Sequence, residues 1–152
     1  MADDDANSGL TPKLVDSLYV EAMLLADEAR SYFDACGRDD RLALDPVDRV
    51  GFSCESLKVT TRLMHVIAWL LTQRAVEAGE LTYSQSRAPA RKLGDNVQSD
   101  TELLAKLPAV AVHLIQASCD LYARVQRLDE GGLVDPQPSP ARSLMSRLER
   151  SL

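Results

Sequence analysis

Apolar residues recur three and four apart along most of this chain, and no stretch alternates at a period of two for more than a few residues. The pattern predicts helices and no sheet. Its longest periodic stretch runs from Asp45 to Gly79. Asp45 suits an N-cap, Pro46 the first helical position, and Gly79 the left-handed residue that stops a helix. Between them the pattern predicts one helix of roughly 33 residues, ~50 Å long. It carries two apolar seams. Val50, Cys54, Leu57, Thr61, Met64, Ala68, Leu71, Ala75 and Ala78 make the first. Phe52, Val59, Leu63, Val66, Ile67 and Leu70 make the second, turned by roughly 120–140°. Only Glu55, Lys58, Arg62, His65, Trp69 and Gln73 leave a polar strip. A surface helix needs one apolar face, so two imply that this helix packs on its own chain and on another. The second seam is the expected homodimer interface, being too large an apolar patch for a monomer's surface.

Other helices flank this one. Residues 1–10 read as a flexible acidic tail, and Thr11-Pro12 starts a first helix with Leu10 and Val15 placed for a hydrophobic staple. Its face is Leu14, Val15, Leu18, Tyr19, Ala22, Leu25, Ala26, Ala29, Tyr32, Phe33 and Cys36, and Gly37 is expected to end it. Gly37 to Leu44 is then a short charged connection. After Gly79, Thr82-Tyr-Ser-Gln85 is a candidate capping box, and residues 86–98 read as a mobile surface loop. Ser99-Asp-Thr-Glu102 is a second capping box, opening a short helix that Pro108 interrupts. The last long helix runs to Asp129, with Val110, Ala111, Leu114, Ile115, Ser118, Leu121, Tyr122, Val125 and Leu128 on one face. The fold class is therefore all-α: three long antiparallel helices in a bundle over residues 11–130, a short helix before the third, and a homodimer through the central helix. Residues 131–152 form a separate segment. Asp135-Pro-Gln-Pro-Ser-Pro140 is an extended spacer, and Leu144, Met145, Leu148 and Leu152 share one side of a short segment beside Arg142, Arg147 and Arg150. That segment is expected to be mobile and to contact a partner through Leu144, Met145 and Leu148.

Composition narrows the classes. The chain has 152 residues, enough for one domain with a real core. A net charge of −6 argues against general nucleic-acid binding, which needs a basic face. The acidic start is no signal peptide, and the run Leu63 to Leu71 is too short to span a bilayer. Cys36, Cys54 and Cys119 are odd in number, scattered and on or beside apolar positions, so they read as core thiols in a reducing cytoplasm.

Catalysis finds no support. His65 and Cys54 share a helix face but stand roughly 16 Å apart along its axis, too far for a dyad. There is no His-Glu-x-x-His, Gly-rich phosphate loop or ligand cluster, so neither cofactor nor metal is expected. His65 as a phosphoacceptor in a phosphotransfer bundle, or a ligand-binding core, is the alternative. It requires an exposed His65 or a sizeable cavity. The aligned strip Lys58, Arg62, His65, Trp69 and Gln73 holds the only tryptophan and is the candidate partner-binding surface, against a plain solvated face.

The run from Ser53 to Leu81 resembles the signature of the alphaproteobacterial RcdA-like family, regulators of CtrA degradation once classed only as a domain of unknown function. Tyr32-Phe33 before a charged turn, Leu107-Pro108, Ser118, Leu121-Tyr122 and Arg124-Val-x-Arg127-Leu-Asp129 also match, and the resemblance covers about Leu14 to Asp129. It implies a three-helix-bundle homodimer with mobile ends and no catalytic residues. It further implies an adaptor that helps deliver cell-cycle substrates to the ClpXP protease together with a response-regulator adaptor, using its C-terminal region for tethering. The implied partners are a second copy, a protease adaptor and substrate proteins, without nucleic acid or membrane insertion.

Overall fold

The structure, a computed structural model, describes residues 2–131, with side chains from Pro12 onward, and Leu148, Arg150 and Ser151. Its elements are α1 (Ala2–Ser31), a π-helical turn (Tyr32–Cys36), α2 (Gly37–Leu42), α3 (Pro46–Glu77), α4 (Tyr83–Ser86), a 3₁₀ turn (Pro89–Arg91), α5 (Thr101–Leu104) and α6 (Ala109–Glu130). The described residues are all-helical, without strands. The core lies between α1, α3 and α6. Leu18, Ala22 and Leu25 meet Val59, Val66 and Leu70, and Leu114, Leu121 and Val125 close the third side.

The long central helix runs between the expected signals: Asp45 and Pro46 open α3, and Gly79 takes φ +76° just beyond it. Its start meets the end of the α1 segment, where the Tyr32 and Phe33 rings stand 6.4 and 5.4 Å from Phe52. Its end meets the start of that segment: Arg74 bonds Asp16 at 2.9 Å and lies 4.2 Å over the Tyr19 ring. Those two helices are antiparallel.

The third long helix departs from the expected arrangement. Arg62 bonds Ser118 and, further along both helices, Trp69 bonds Asp129, so α6 runs parallel to α3. The physical reason is the connection over residues 78–108. It is long enough to travel back the whole length of the bundle, whereas a short loop would have reversed the chain.

The N-terminal region also differs from expectation. The helix begins at Ala2 and runs through Pro12, in place of a loose tail followed by a start at Thr11. Gly37 does not end it. A π turn inserts one residue, and helical backbone continues to Leu42, with Gly37 at an ordinary φ of −68°. The extra residue turns everything after it by about 100°. Gly37 therefore faces the core, and Cys36, expected there, is exposed. Of the second capping box, Asp100 is the N-cap, accepting from the N–H groups of Glu102 and Leu103, while Ser99 is used elsewhere. The first box forms as expected between Thr82 and Gln85. Among the described residues no helix is long and apolar enough to cross a membrane.

Candidate functional site

Helix α3 has an inner side that ties down the connection and an outer side whose large apolar residues are exposed. On the inner side the polar strip of the sequence is almost wholly internal. Arg62 is fully buried, Trp69 and Gln73 nearly so, and Lys58 and His65 are half-buried. The Arg62 guanidinium donates to the Val97 carbonyl at 2.7 and 3.1 Å, to the Ser118 hydroxyl at 3.1 Å, and to Ser99. Ser99 in turn donates to Glu55 at 2.6 Å, and the Asp100 N–H and the Lys58 ammonium reach the other Glu55 oxygen. Burial pushes the Glu55 carboxyl up, but hydrogen bonds from Ser99, Lys58 and the Asp100 N–H outweigh it and hold it below its ordinary value. Further along, the His65 Nδ1 meets the Asp95 carbonyl at 3.1 Å, and the Tyr122 hydroxyl donates to Gly94. Burial, with Asp95 and Asp129 nearby, raises the Tyr122 hydroxyl above its ordinary value. Trp69 Nε1 and Arg87 both donate to Asp129, at 2.9 and 2.8 Å. The predicted partner-binding strip Lys58, Arg62, His65, Trp69 and Gln73 is thus corrected. Arg62 and His65 bond the chain's own connection, whose backbone carbonyls need partners once laid against a helix, Trp69 bonds α6, Lys58 bonds Glu55, and Gln73 is buried. Residues 93–100 form a strap with several anchors, in place of the expected mobile loop.

The two apolar seams exchange roles. Phe52, Val59, Leu63, Val66 and Leu70 are buried in the protomer's own core, with Ile67 packed against it. These six, expected as the dimer interface, are therefore spent within the chain. The first seam faces outward: Val50 is 64% exposed, Leu57 68%, Met64 64% and Leu71 47%. Val50, Leu57, Met64 and Leu71 follow one another at every seventh residue, with Cys54, Thr61 and Ala68 between them and Ala75 after the last. Large and small residues alternate there at heptad spacing. Thr61 returns its hydroxyl to the Leu57 carbonyl at 2.9 Å, so the seam carries no unmatched donor there.

A scan against family models matches residues 6–152 to a family described as a protein of unknown function, DUF1465. Among solved structures, the chain is similar to RcdA from Caulobacter crescentus CB15, with 37% identity, a TM-score of 0.62, and coverage of 76% of this chain and 88% of that one. This chain belongs to the RcdA-like family. No curated protein sequence matches it significantly.

Within this RcdA-like chain the remaining candidates separate clearly. His65 is wedged between α3 and Gly94, and His113 stands exposed on α6, so the two share no site. Cys36 and Cys54 are exposed, which corrects their reading as core thiols, while Cys119 is half-buried and packs against the core. Leu144 and Met145 lie outside the described residues, while Leu148 is 56% exposed. Sequence reasoning missed the internal anchoring role of Arg62. The available signal was its position on the side of α3 between two apolar seams, opposite a long connection. It also missed the π turn, which sets Arg38 and Arg41 beside Ser53 and Ser56.

Proposed function

We propose that this RcdA-like protein is a non-enzymatic cytoplasmic adaptor that helps deliver substrates to the ClpXP protease, and that it works as a homodimer joined through the outward seam of α3. The observation that carries this reading is the exposed seam Val50, Leu57, Met64 and Leu71 on a chain of a family of proteolysis regulators. Full burial of each such side chain is worth about 1.5–3 kcal/mol. A pair of seams thereby offsets an association cost on the order of 4–15 kcal/mol. The small residues between the large ones let two helices approach closely, which favours a second copy over an irregular surface. In this reading the strap leaves the inner side of α3 closed, so partners meet the outer face and the C-terminal segment with Leu144, Met145 and Leu148. The phosphotransfer alternative loses support because the Asp95 carbonyl and Gly94 lie against the His65 ring.

The test is reconstituted degradation of a cell-cycle substrate by purified ClpXP with the cognate response-regulator adaptor. Adding this protein should speed degradation, and the variant Leu57→Glu with Met64→Glu should not. An unchanged rate with the wild-type protein contradicts the reading.

A further inference from the structure

Beside the outward seam, at the N-terminal half of α3, the π turn builds a cavity of about 410 Å³. Three observations mark it as more than a surface dent. The first is how it is made. Gly37 lies so close to its neighbours that a Cβ there would sit 2.9 Å from the Tyr32 carbonyl oxygen and 3.4 Å from the Phe52 ring. The Tyr32 hydroxyl donates to Asp40 at 2.6 Å and ties the start of the turn to α2, and burial and this carboxylate raise the phenol above its ordinary value. Inserted π turns often mark functional positions, because they re-aim the side chains that follow. Here they aim Arg38 and Arg41, one helical turn apart, over α3.

The second observation is unused hydrogen-bonding capacity. Arg30, Arg74, Arg87 and Arg124 each have a carboxylate partner. Among the described residues Arg38 and Arg41 have none, and the Ser53 and Ser56 hydroxyls that share their cavity make no hydrogen bond. Two guanidinium groups and two hydroxyls thus line one cavity with no partner among the described residues, in a protein of net charge −6. The third observation is the apolar wall. Phe33 and Phe52 form the floor, 5.4 Å apart edge to face, and exposed Leu57 stands at the rim.

From these we infer that the cavity docks an acidic segment of a partner protein, in which a carboxylate adjoins a large apolar side chain. The planar arginine forks match a carboxylate, the serines supply further donors, and the aromatic floor takes the apolar neighbour. Asp34 on the same rim repels a phosphate dianion more strongly than a carboxylate, which favours an acidic over a phosphorylated segment. The inference deepens the adaptor reading and rests on it, since it gives an adaptor a second place to hold a protein besides the α3 seam.

The test is fluorescence polarisation on the full chain, without any protease, so that its failure and a failure of delivery are read separately. The probe is a fluorescein-labelled decapeptide of alternating glutamate and leucine. Controls carry glutamine for glutamate, lysine for glutamate, or phosphoserine for glutamate. Saturable binding of the glutamate peptide is expected, weakened about tenfold or more by glutamine and by the variant Arg38→Glu with Arg41→Glu. The same variant, shown folded by circular dichroism, should gain affinity for the lysine peptide. No saturable binding overturns the proposal. So does equal binding of the glutamine peptide, tighter binding of the phosphoserine peptide, or indifference to the charge reversal.

Discussion

Arg62 is the residue on which the inner side of α3 depends. A guanidinium is tolerated at full burial only if its donors are matched, and here they meet one carbonyl and two hydroxyls, with Glu55 one hydrogen bond away through Ser99. Arg62→Ala would strand the Val97 carbonyl and take a donor from Ser99 and Ser118, loosening the Ser99 that holds Glu55. A loss of about 3–5 kcal/mol is expected in urea unfolding. Lysine should rescue little, because a point charge cannot reach both sides of the strap. The Glu55 carboxylate adds a pH dependence of definite sign. Its folded value lies below the ordinary 4.5, so its contribution is complete above pH 4.5 and is lost as pH falls through the folded value. Melting temperature followed downward from pH 4.5 should fall more steeply in the wild type than in Glu55→Gln. Parallel curves would show that Glu55 does not carry this term.

At the scale of elements, most of the helices were legible in the sequence. Asp45, Pro46 and Gly79 bracket α3 as local chemistry requires, and the apolar face of α6 is buried nearly as its spacing implies. The direction of each face was not legible. Periodicity states the angle between two seams but not which one meets the core, and that depends on where α1 and α6 arrive. The strip with Arg62 and Trp69 read as a surface because its residue types are polar. Only the paths of residues 93–100 and of α6 show that it is a row of anchors. The π turn was hidden because the helical spacing continues to Cys36, and Gly37 looked like a stop when its role is close approach. Gly37→Ala should therefore cost about 1–3 kcal/mol in unfolding free energy, through displacement of the Tyr32 carbonyl. A stabilised Gly37→Ala protein would mean that the turn relaxes to a regular helix without penalty.

For the whole molecule, the parallel course of α6 beside α3 follows from the strap, and the strap is what leaves the heptad seam as the exposed apolar face of the central helix. The C-terminal segment is proposed to act separately from that face. Removing residues 133–152 should leave self-association and melting temperature nearly unchanged while abolishing delivery to the protease. A fall of many degrees on truncation would instead assign the segment a structural role. The central claim, that the outward seam of α3 is where this chain meets another, is tested most directly by light scattering of the full chain at micromolar concentration. The account predicts twice the chain mass of 16.7 kDa for the wild type, and the single-chain mass for Leu57→Glu with Met64→Glu, with helical circular dichroism retained. A wild-type monomer, or a dimer that survives both substitutions in a folded protein, would contradict it.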